Sequence, residues 1–101
     1  MIKFSLDNTE EYEKEFGKEF KIPPKNERTA LKKGDLVKLI FRFEDTNSDF
    51  PQVERMWVMV DEAKDGCFIG ILDNEPFTKD SIEAGDLIKF DHTNVLEIYK
   101  D

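Results

Sequence analysis

The stretch Val53–Pro76 limits what this chain can fold into more than any other part of the sequence. It reads VERMWVMVDEAKDGCFIGILDNEP, in which two apolar runs flank an Asp-Gly pair. Apolar residues that alternate with a period of two predict β-strands, and Asp-Gly between two such runs favours the turn of a hairpin. We therefore predict two strands, Val53–Asp61 and Cys67–Asp73, joined as a hairpin at the centre of the fold.

The two faces of the first predicted strand are both largely apolar. Trp57, the single tryptophan, shares its face with Arg55 and Met59, and the other face is apolar apart from one glutamate. This pattern predicts a central strand that is covered on both sides. In the second strand, Gly70 predicts a bulge or room for a large neighbour, and Trp57 is our candidate for that neighbour.

Further segments complete a β-rich pattern. Residues 2–6 predict a short edge strand or an extended lead-in, and residues 36–43 predict a half-buried strand. The run Gly-Asp-Leu-Ile-Lys-Phe over 85–90 resembles Gly-Asp-Leu-Val-Lys-Leu over 34–39, for which we favour convergent turn chemistry over a duplication. Residues 95–99 predict a last short strand.

The N-terminal part of the chain has the period of a helix. Tyr12, Phe16 and Phe20 recur at four-residue spacing, and Asn8 precedes them at a capping position. These features predict a helix over residues 9–20, whose aromatic stripe is expected to dock on the main body. A Pro-Pro pair follows the helix, and we expect an extended connector after it.

Together these elements predict an α+β, mostly β fold in a single domain over residues 1–101. An N-terminal helical segment, residues 1–24, is expected to pack on a β core, residues 31–99. Short connections favour antiparallel pairing, so we predict a strongly curved antiparallel sheet or a small open barrel of five to six strands. The polar residues 44–52 predict an exposed loop.

The charge of the chain is unevenly distributed and bears on its partners. The formal net charge is −8, and residues 43–101 carry 15 acids against 5 bases, net −10. Residues 25–42 carry 6 bases against 2 acids, net +4, which we interpret as internal charge complementarity in preference to a binding patch. An acidic surface disfavours nucleic acids and anionic membranes, so we expect a protein partner and neither of those.

Cysteine usage and the absence of long apolar runs bear on the compartment. Cys67 is the single cysteine, which excludes an intramolecular disulfide and fits a reducing compartment. The N-terminal residues lack the apolar run of a signal peptide, and no stretch has the length of a membrane span. We therefore expect a soluble, cytoplasmic protein, and we leave its oligomeric state open.

The sequence contains few side chains that suit catalysis or metal binding. His92 and Cys67 are the single histidine and the single cysteine, whereas a zinc site needs several such ligands. The acids do not match a calcium loop, and the scattered glycines do not form a phosphate-binding motif. We therefore predict no metal and no cofactor, and we favour a protein without enzymatic activity. A small-molecule-binding protein or minor hydrolase that uses turn acids with Arg55 or His92 is an alternative.

Three short motifs resemble those of a bacterial family. Glu54–Val58 has the pattern Glu-x-x-Trp-Val, Gly70–Pro76 has Gly-x-Leu-x-Asn-x-Pro, and Gly85–Phe90 begins Gly-Asp-x-Ile. Their order is similar to that in the family called domain of unknown function 2314, and the resemblance covers residues 30–99. It implies a small, mostly β bacterial protein, and it brings no established activity.

We predict a non-enzymatic binding or regulatory module, because a sheet can present a surface and the catalytic inventory is small. Charged residues in an otherwise apolar strand must reach the rim of the sheet or find a partner, which draws attention to the strand around Trp57. The candidate binding residues are Glu54, Arg55, Trp57, Asn74, Glu75 and Pro76. A sharper alternative is an acidic immunity-type inhibitor of a basic toxin or nuclease.

Overall fold

The computed structural model describes residues 3–44, 52–76 and 82–100. Its elements are β1 (Lys3–Leu6), α1 (Thr9–Phe16), a first 3-10 turn (Gly17–Glu19), α2 (Lys25–Thr29), β2 (Leu36–Glu44), β3 (Gln52–Lys64), β4 (Cys67–Leu72), β5 (Leu87–Asp91), a second 3-10 turn (His92–Asn94) and β6 (Val95–Ile98). The predicted strands are therefore present, with bounds that differ by up to three residues. Residues 45–51 of the predicted loop lie outside the described residues.

The strands form one antiparallel sheet that curls into a half-barrel. Its order is β1-β2-β3-β4-β5, and β6 pairs with β2 on the same side as β1. β1 pairs with the second half of β2, from Phe41 to Glu44, and β6 pairs with the first half, from Val37 to Leu39. This architecture confirms the predicted curved antiparallel sheet or open barrel of five to six strands.

The predicted alternation decides which side of each strand faces the core. In β3, Met56, Val58 and Val60 are buried on the inner face, while Trp57 lies on the outer face. The core contains Leu31, Val37, Leu39, Phe41, Phe43, Met56, Val58, Val60, Phe68, Leu72, Ile82, Ile88, Phe90 and Val95. Burial of this apolar surface is the main favourable contribution to folding, because it removes the side chains from water.

Gly70 provides room in the core, although not for Trp57. A β-carbon at Gly70 would lie 2.4 Å from Cγ1 of Val58 and 3.2 Å from the ring of Phe90. The prediction that Trp57 fills this space is wrong, because its side chain leaves β3 on the opposite face from Val58. The irregularity in the ladder lies in β3, the partner strand, and not at the glycine itself.

The predicted N-terminal helix ends earlier than its aromatic stripe. Asn8 caps α1 by accepting the N–H groups of Glu10 and Glu11 at 2.9 and 3.2 Å. Gly17 has a φ of +60°, a conformation outside the α-helix, and a 3-10 turn begins there. The connector after the Pro-Pro pair is not extended as predicted, because α2 starts directly after Pro24, whose fixed φ suits the start of a helix.

The aromatic stripe docks less fully than predicted. The ring centroids of Tyr12 and Phe16 lie 6.2 Å apart, and those of Tyr12 and Phe20 lie 5.2 Å apart. Phe16 nevertheless stays 49% exposed. A polar contact anchors the start of α1 instead, because the buried Thr9 donates its hydroxyl to the carbonyl of Val95 at 2.8 Å.

Candidate functional site

Trp57 belongs to a cluster on the outer face of β3. Lys38 Nζ lies 4.7 Å from the centroid of the indole, and the Tyr99 ring meets the indole edge-on at 6.0 Å. Lys38 Nζ also lies 3.3 Å from a carboxylate oxygen of Glu97, so the cluster joins β2, β3 and β6. A cation over an indole face and an edge-on aromatic ring are both favourable arrangements. Among the described residues, these ring contacts come from the sheet and the segment after β6, and not from α1.

Asn74 holds the backbone of Trp57 in place. Its Oδ1 accepts the Trp57 N–H at 2.5 Å, and the Asp73 N–H donates to the Trp57 carbonyl at 2.9 Å. These two bonds continue the pairing of β3 beyond the last residue of β4. Pro76 is fully buried, whereas Glu75 is exposed. The structure therefore brings Trp57 and Asn74 together, and it turns Pro76 toward the interior.

Arg55 and Glu54 precede Trp57 on β3 and differ in exposure. Arg55 is exposed on the outer face, and Glu54 is half-buried. Arg55 lines a groove of about 460 Å³ together with Lys21 and Lys38, so that three cations face the same space. Two glutamates also line this groove, so it does not present a uniform charge to a ligand.

An apolar band crosses the outer face of β2, β3, β4 and β5. The strand registers place Met59 of β3 opposite Leu36 of β2 and Ile71 of β4. Leu87 of β5 follows, opposite Ile71. Leu87 is 68% exposed, Tyr99 is 56% exposed and Met59 is 38% exposed. We call this surface the outer patch, which consists of Leu36, Trp57, Met59, Ile71, Leu87 and Tyr99.

The sequence alone did not indicate the outer patch. The prediction that β3 is covered on both sides is wrong, because Met59 and Val53 lie exposed on its outer face. Each strand contributes only one or two residues to the outer patch, and single apolar residues are ordinary on protein surfaces. The informative signal is their alignment across four strands, which depends on the register of the pairs.

Aspartates lie beside the outer patch near the ends of its strands. Asp35 and Asp86 directly precede the patch residues of β2 and β5, and Asp61 and Asp73 lie two residues after those of β3 and β4. The carboxylates of Asp35 and Asp86 each accept a backbone N–H from three residues earlier, at 3.0 Å, so both Gly-Asp runs form the same turn. Asp61 lies 3.8 Å from Lys33 Nζ. We call Asp35, Asp61, Asp73 and Asp86 the acidic rim.

His92 belongs to a polar cluster that joins both helices to the second 3-10 turn. Arg28, which is buried, donates from Nη1 to the His92 carbonyl at 2.7 Å and lies 2.9 Å from a carboxylate oxygen of Glu10. Its Nε donates to the Pro23 carbonyl at 2.8 Å. These contacts attach α1 and α2 to the end of β5. In the parts of the chain that the structure describes, no group of three or more His, Cys, Asp and Glu side chains is placed to hold a metal ion.

A family model matches nearly the whole chain. It is described as an uncharacterized protein conserved in bacteria (DUF2314), and the match covers residues 3–98. No curated protein and no solved structure matches the chain. Within the described ranges, no helix is long and apolar enough to cross a membrane.

Proposed function

The chain belongs to this bacterial family, DUF2314, as its motifs predicted, and from that premise we propose that it is a non-enzymatic binding module whose protein partner docks on the outer patch. The observation that supports this proposal is the exposure of Leu87, Tyr99 and Met59 within one continuous apolar band. Scattered apolar residues are ordinary on a surface, whereas a contiguous apolar area with a polar surround is typical of a protein-binding site.

The composition of the outer patch fits the centre of an interface. Tryptophan, tyrosine and methionine are enriched in such centres, and Trp57, Tyr99 and Met59 supply one of each. Trp57 is also well ordered before any partner arrives, since Asn74 bonds to its backbone and Lys38 lies over its ring. A side chain that is already ordered loses little conformational entropy on binding, which favours affinity.

The acidic rim suggests the chemistry of the partner. Asp73 is exposed, and Asp35, Asp61 and Asp86 are half-buried beside the apolar residues. A partner with an apolar centre and a basic surround complements both parts of this surface. The rim therefore supports a second candidate function, an immunity-type inhibitor that covers the basic site of a toxin or nuclease.

Charges introduced into the outer patch test the proposed function. The wild-type protein and the double variant Met59→Lys/Leu87→Lys serve as tagged baits in lysates of the bacterial source cells. Because both side chains are exposed, the free energy of unfolding should change by less than about 1 kcal/mol. Two buried lysines in the interface should weaken capture of the partner by at least about tenfold, as measured by quantitative mass spectrometry of the eluates.

Val53→Lys is the matched control for this experiment. Val53 is an exposed apolar residue on the same face of β3 but outside the outer patch, so the variant should capture the partner as well as the wild type does. Equal capture by the wild type and the double variant would contradict the proposal. So would a wild-type bait that enriches no protein over the double variant.

A further inference from the structure

In the parts of the chain that the structure describes, the curled sheet does not close, and the gap between its two outermost strands is an apolar groove. β1 and β5 are the ends of the strand order, and among the described residues no strand pairing joins them. The groove between them has a volume of about 1050 Å³. We call this groove the seam; its apolar lining includes Phe4, Leu6, Ala63, Phe68 and Phe90.

The floor of the seam consists of core-facing side chains, of which those of β1 stay partly accessible and the rings of Phe68 and Phe90 are buried. Phe4 and Leu6 of β1 pack against the core but are only partly buried. The rings of Phe68 and Phe90 lie 5.2 Å apart on the other side of the seam. Aromatic and aliphatic surfaces of this kind accept apolar side chains, because contact removes both partners from water.

The free edge of β5 presents backbone groups to the seam. The His92 N–H donates to the Gly66 carbonyl at 3.0 Å, so these two residues form a hydrogen-bonded pair. Because bonded and non-bonded pairs alternate along an antiparallel ladder, Phe90 and Ile88 also bond to β4, and the residues between them do not. By this alternation, Leu87 and Lys89 direct their N–H and C=O groups away from β4. Among the described residues, no strand or backbone group pairs with this side of β5.

The free edge of β1 is built in the same way. The Asp7 N–H bonds to the Ile40 carbonyl at 3.0 Å, so the residues of β1 that bond to β2 are those two and four positions before Asp7. Phe4 and Leu6 therefore direct their N–H and C=O groups away from β2. Both edges of the seam thus offer a short row of backbone donors and acceptors above an apolar floor.

The direction of the two edges determines what can fill the seam. Each neighbouring pair from β1 to β5 is antiparallel, so β1 and β5 run in the same direction. A single strand that runs in the opposite direction would pair antiparallel with both edges at once. We propose that the seam binds an extended segment of another protein, which enters as an added β-strand and closes the sheet into a barrel.

The seam also limits the length and pattern of that segment. β1 has 4 residues and β5 has 5, so the added strand is of similar length. Asn94 donates from Nδ2 to the Asp7 carbonyl at 3.2 Å and joins the two edges at one end, so the segment enters from the other end. Alternate residues of the segment face the aromatic floor and are apolar. The other residues of the segment face outward, near the exposed charged side chains of Glu62, Lys64 and Lys89. We therefore expect these outward residues to be polar.

Random octapeptides displayed on phage provide the probe for this proposal. Peptides selected on the wild-type protein should carry apolar residues at alternate positions. Alternate amides of a bound strand would bond to β1 and to β5. Two synthetic copies of the most enriched peptide are therefore made, one N-methylated at an amide of the first set and the other at an amide of the second set. Methylation in either set should lower the affinity by about tenfold in titration calorimetry, because the inserted strand bonds to both edges.

Three results of the peptide experiment would overturn the proposal. Sensitivity in only one set of amides means that the peptide pairs with a single edge and does not close the sheet. Failure to enrich any peptide, or indifference to methylation in both sets, means that the seam does not accept a strand.

Variants of the protein separate this proposal from the proposed function. Lys89→Pro removes one N–H from the free edge of β5 and none from the ladder with β4, so it should lower peptide affinity by about tenfold. Met59→Lys alters the outer patch on β3 and leaves both edges of the seam intact, so it should leave peptide affinity unchanged. The reverse pattern would overturn the seam as the site and would support peptide binding at the outer patch.

Amide hydrogen exchange of the wild-type protein decides the question if Lys89→Pro does not fold. Peptide binding should slow exchange at the free-edge amides of Phe4, Leu6, Leu87 and Lys89 by at least about tenfold, because each acquires a hydrogen-bond partner. Unchanged exchange at all four amides in the presence of saturating peptide would overturn the proposal.

Discussion

At Gly70, the space that a β-carbon would need is already occupied. Such an atom would lie 2.4 Å from Cγ1 of Val58 and 2.8 Å from the carbonyl oxygen of Met59. The side chain of Val58 can rotate, but the carbonyl of Met59 belongs to the paired strand β3 and cannot move without disturbing the ladder. This glycine is therefore required by the close approach of two strands.

Gly70→Ala should lower the free energy of unfolding by about 3 kcal/mol, because the added methyl group overpacks the contact between β3 and β4. Urea unfolding followed by Trp57 fluorescence measures the change. Ser5→Ala, at an exposed strand position, is the control and should change the free energy of unfolding by less than about 0.5 kcal/mol. A Gly70→Ala protein as stable as the control would contradict this account of the glycine.

Trp57 and Asn74 show that motif residues can act mainly on local structure. The Asn74 side chain takes the place of a strand residue by accepting the Trp57 N–H, and Pro76 is buried directly after it. Within this chain, the residues Trp57, Asn74 and Pro76 therefore determine how the central hairpin ends. The exposed residues of the outer patch beside it, such as Leu87 and Tyr99, are the ones that a partner can reach.

At the level of elements, a charged network attaches the start of α1 to β2. Arg42 donates from Nε and Nη2 to the Asp7 carboxylate at 2.9 and 2.8 Å, and the Tyr12 hydroxyl donates to it at 2.7 Å. Partial burial acts to raise the pKa of Asp7, but the hydrogen bonds from Arg42 and Tyr12 and the charge of Arg42 together lower it below its usual value. The hydrogen bond to Asp7 is the main cause that raises the pKa of Tyr12.

The network predicts how stability depends on pH. Because the pKa of Asp7 is lower in the folded state than its ordinary value of 3.8, its carboxylate stabilises the fold above that value. This contribution is lost as the pH falls through the folded-state pKa. Asp7→Asn should therefore be less stable than the wild type by about 2 kcal/mol at about pH 6, and the gap should shrink toward about pH 2.5. Urea unfolding at both pH values measures it.

Asp73→Asn is the control, because this aspartate is exposed and should change stability by less than about 0.5 kcal/mol at both pH values. Tyr12 supplies an independent readout, since loss of the Asp7 charge should lower the pKa of Tyr12 in a spectrophotometric titration. A stability gap between wild type and Asp7→Asn that is the same at both pH values would contradict the role given to the Asp7 carboxylate.

At the level of the whole molecule, the basic segment 25–42 is largely neutralised by the rest of the chain. Four of its cations form ion pairs with acids outside the segment. The pairs are Arg28–Glu10, Lys33–Asp61, Lys38–Glu97 and Arg42–Asp7. The predicted internal charge complementarity is confirmed for these residues. The excess of acids that gives the net charge of −8 therefore lies on the surface, and part of it is the acidic rim.

This distribution predicts electrostatic steering of the partner that the outer patch captures. The triple variant Asp61→Asn/Asp73→Asn/Asp86→Asn should slow association by about tenfold at low salt and change dissociation much less, because rim charges act mainly on encounter. Biolayer interferometry at two salt concentrations measures both rates. The difference between the triple variant and the wild type should become small at high salt.

Glu11→Gln/Glu15→Gln/Glu19→Gln makes the same change in net charge at exposed positions in and just after α1. This control should slow association less than the triple variant of the rim does. Equal effects of the two variants would show that net charge matters and the rim does not. Association that is independent of salt would contradict the immunity-type inhibitor as well.

Much of the fold was predictable because it depends on local properties of the chain. The alternation in β2, β3 and β4 determined which residues share a face, since successive side chains of any strand point to opposite sides. The Asp-Gly pair placed the hairpin turn, and Asn8 placed the start of α1. The helix end at Gly17 and the short α2 were harder to predict from the sequence, because they depend on single backbone conformations that many sequences allow.

The candidate site was predictable only as a region of the chain. The sequence by itself determined that Trp57 lies on a strand near Asn74, and that apolar residues occupy both faces of that strand. Only the tertiary structure decided that the Trp57 face is the open one, that Leu36, Met59, Ile71 and Leu87 align, and that β1 and β5 leave a seam. Those properties depend on register, curvature and closure, which arise from pairing between distant segments and not from the local order of residues.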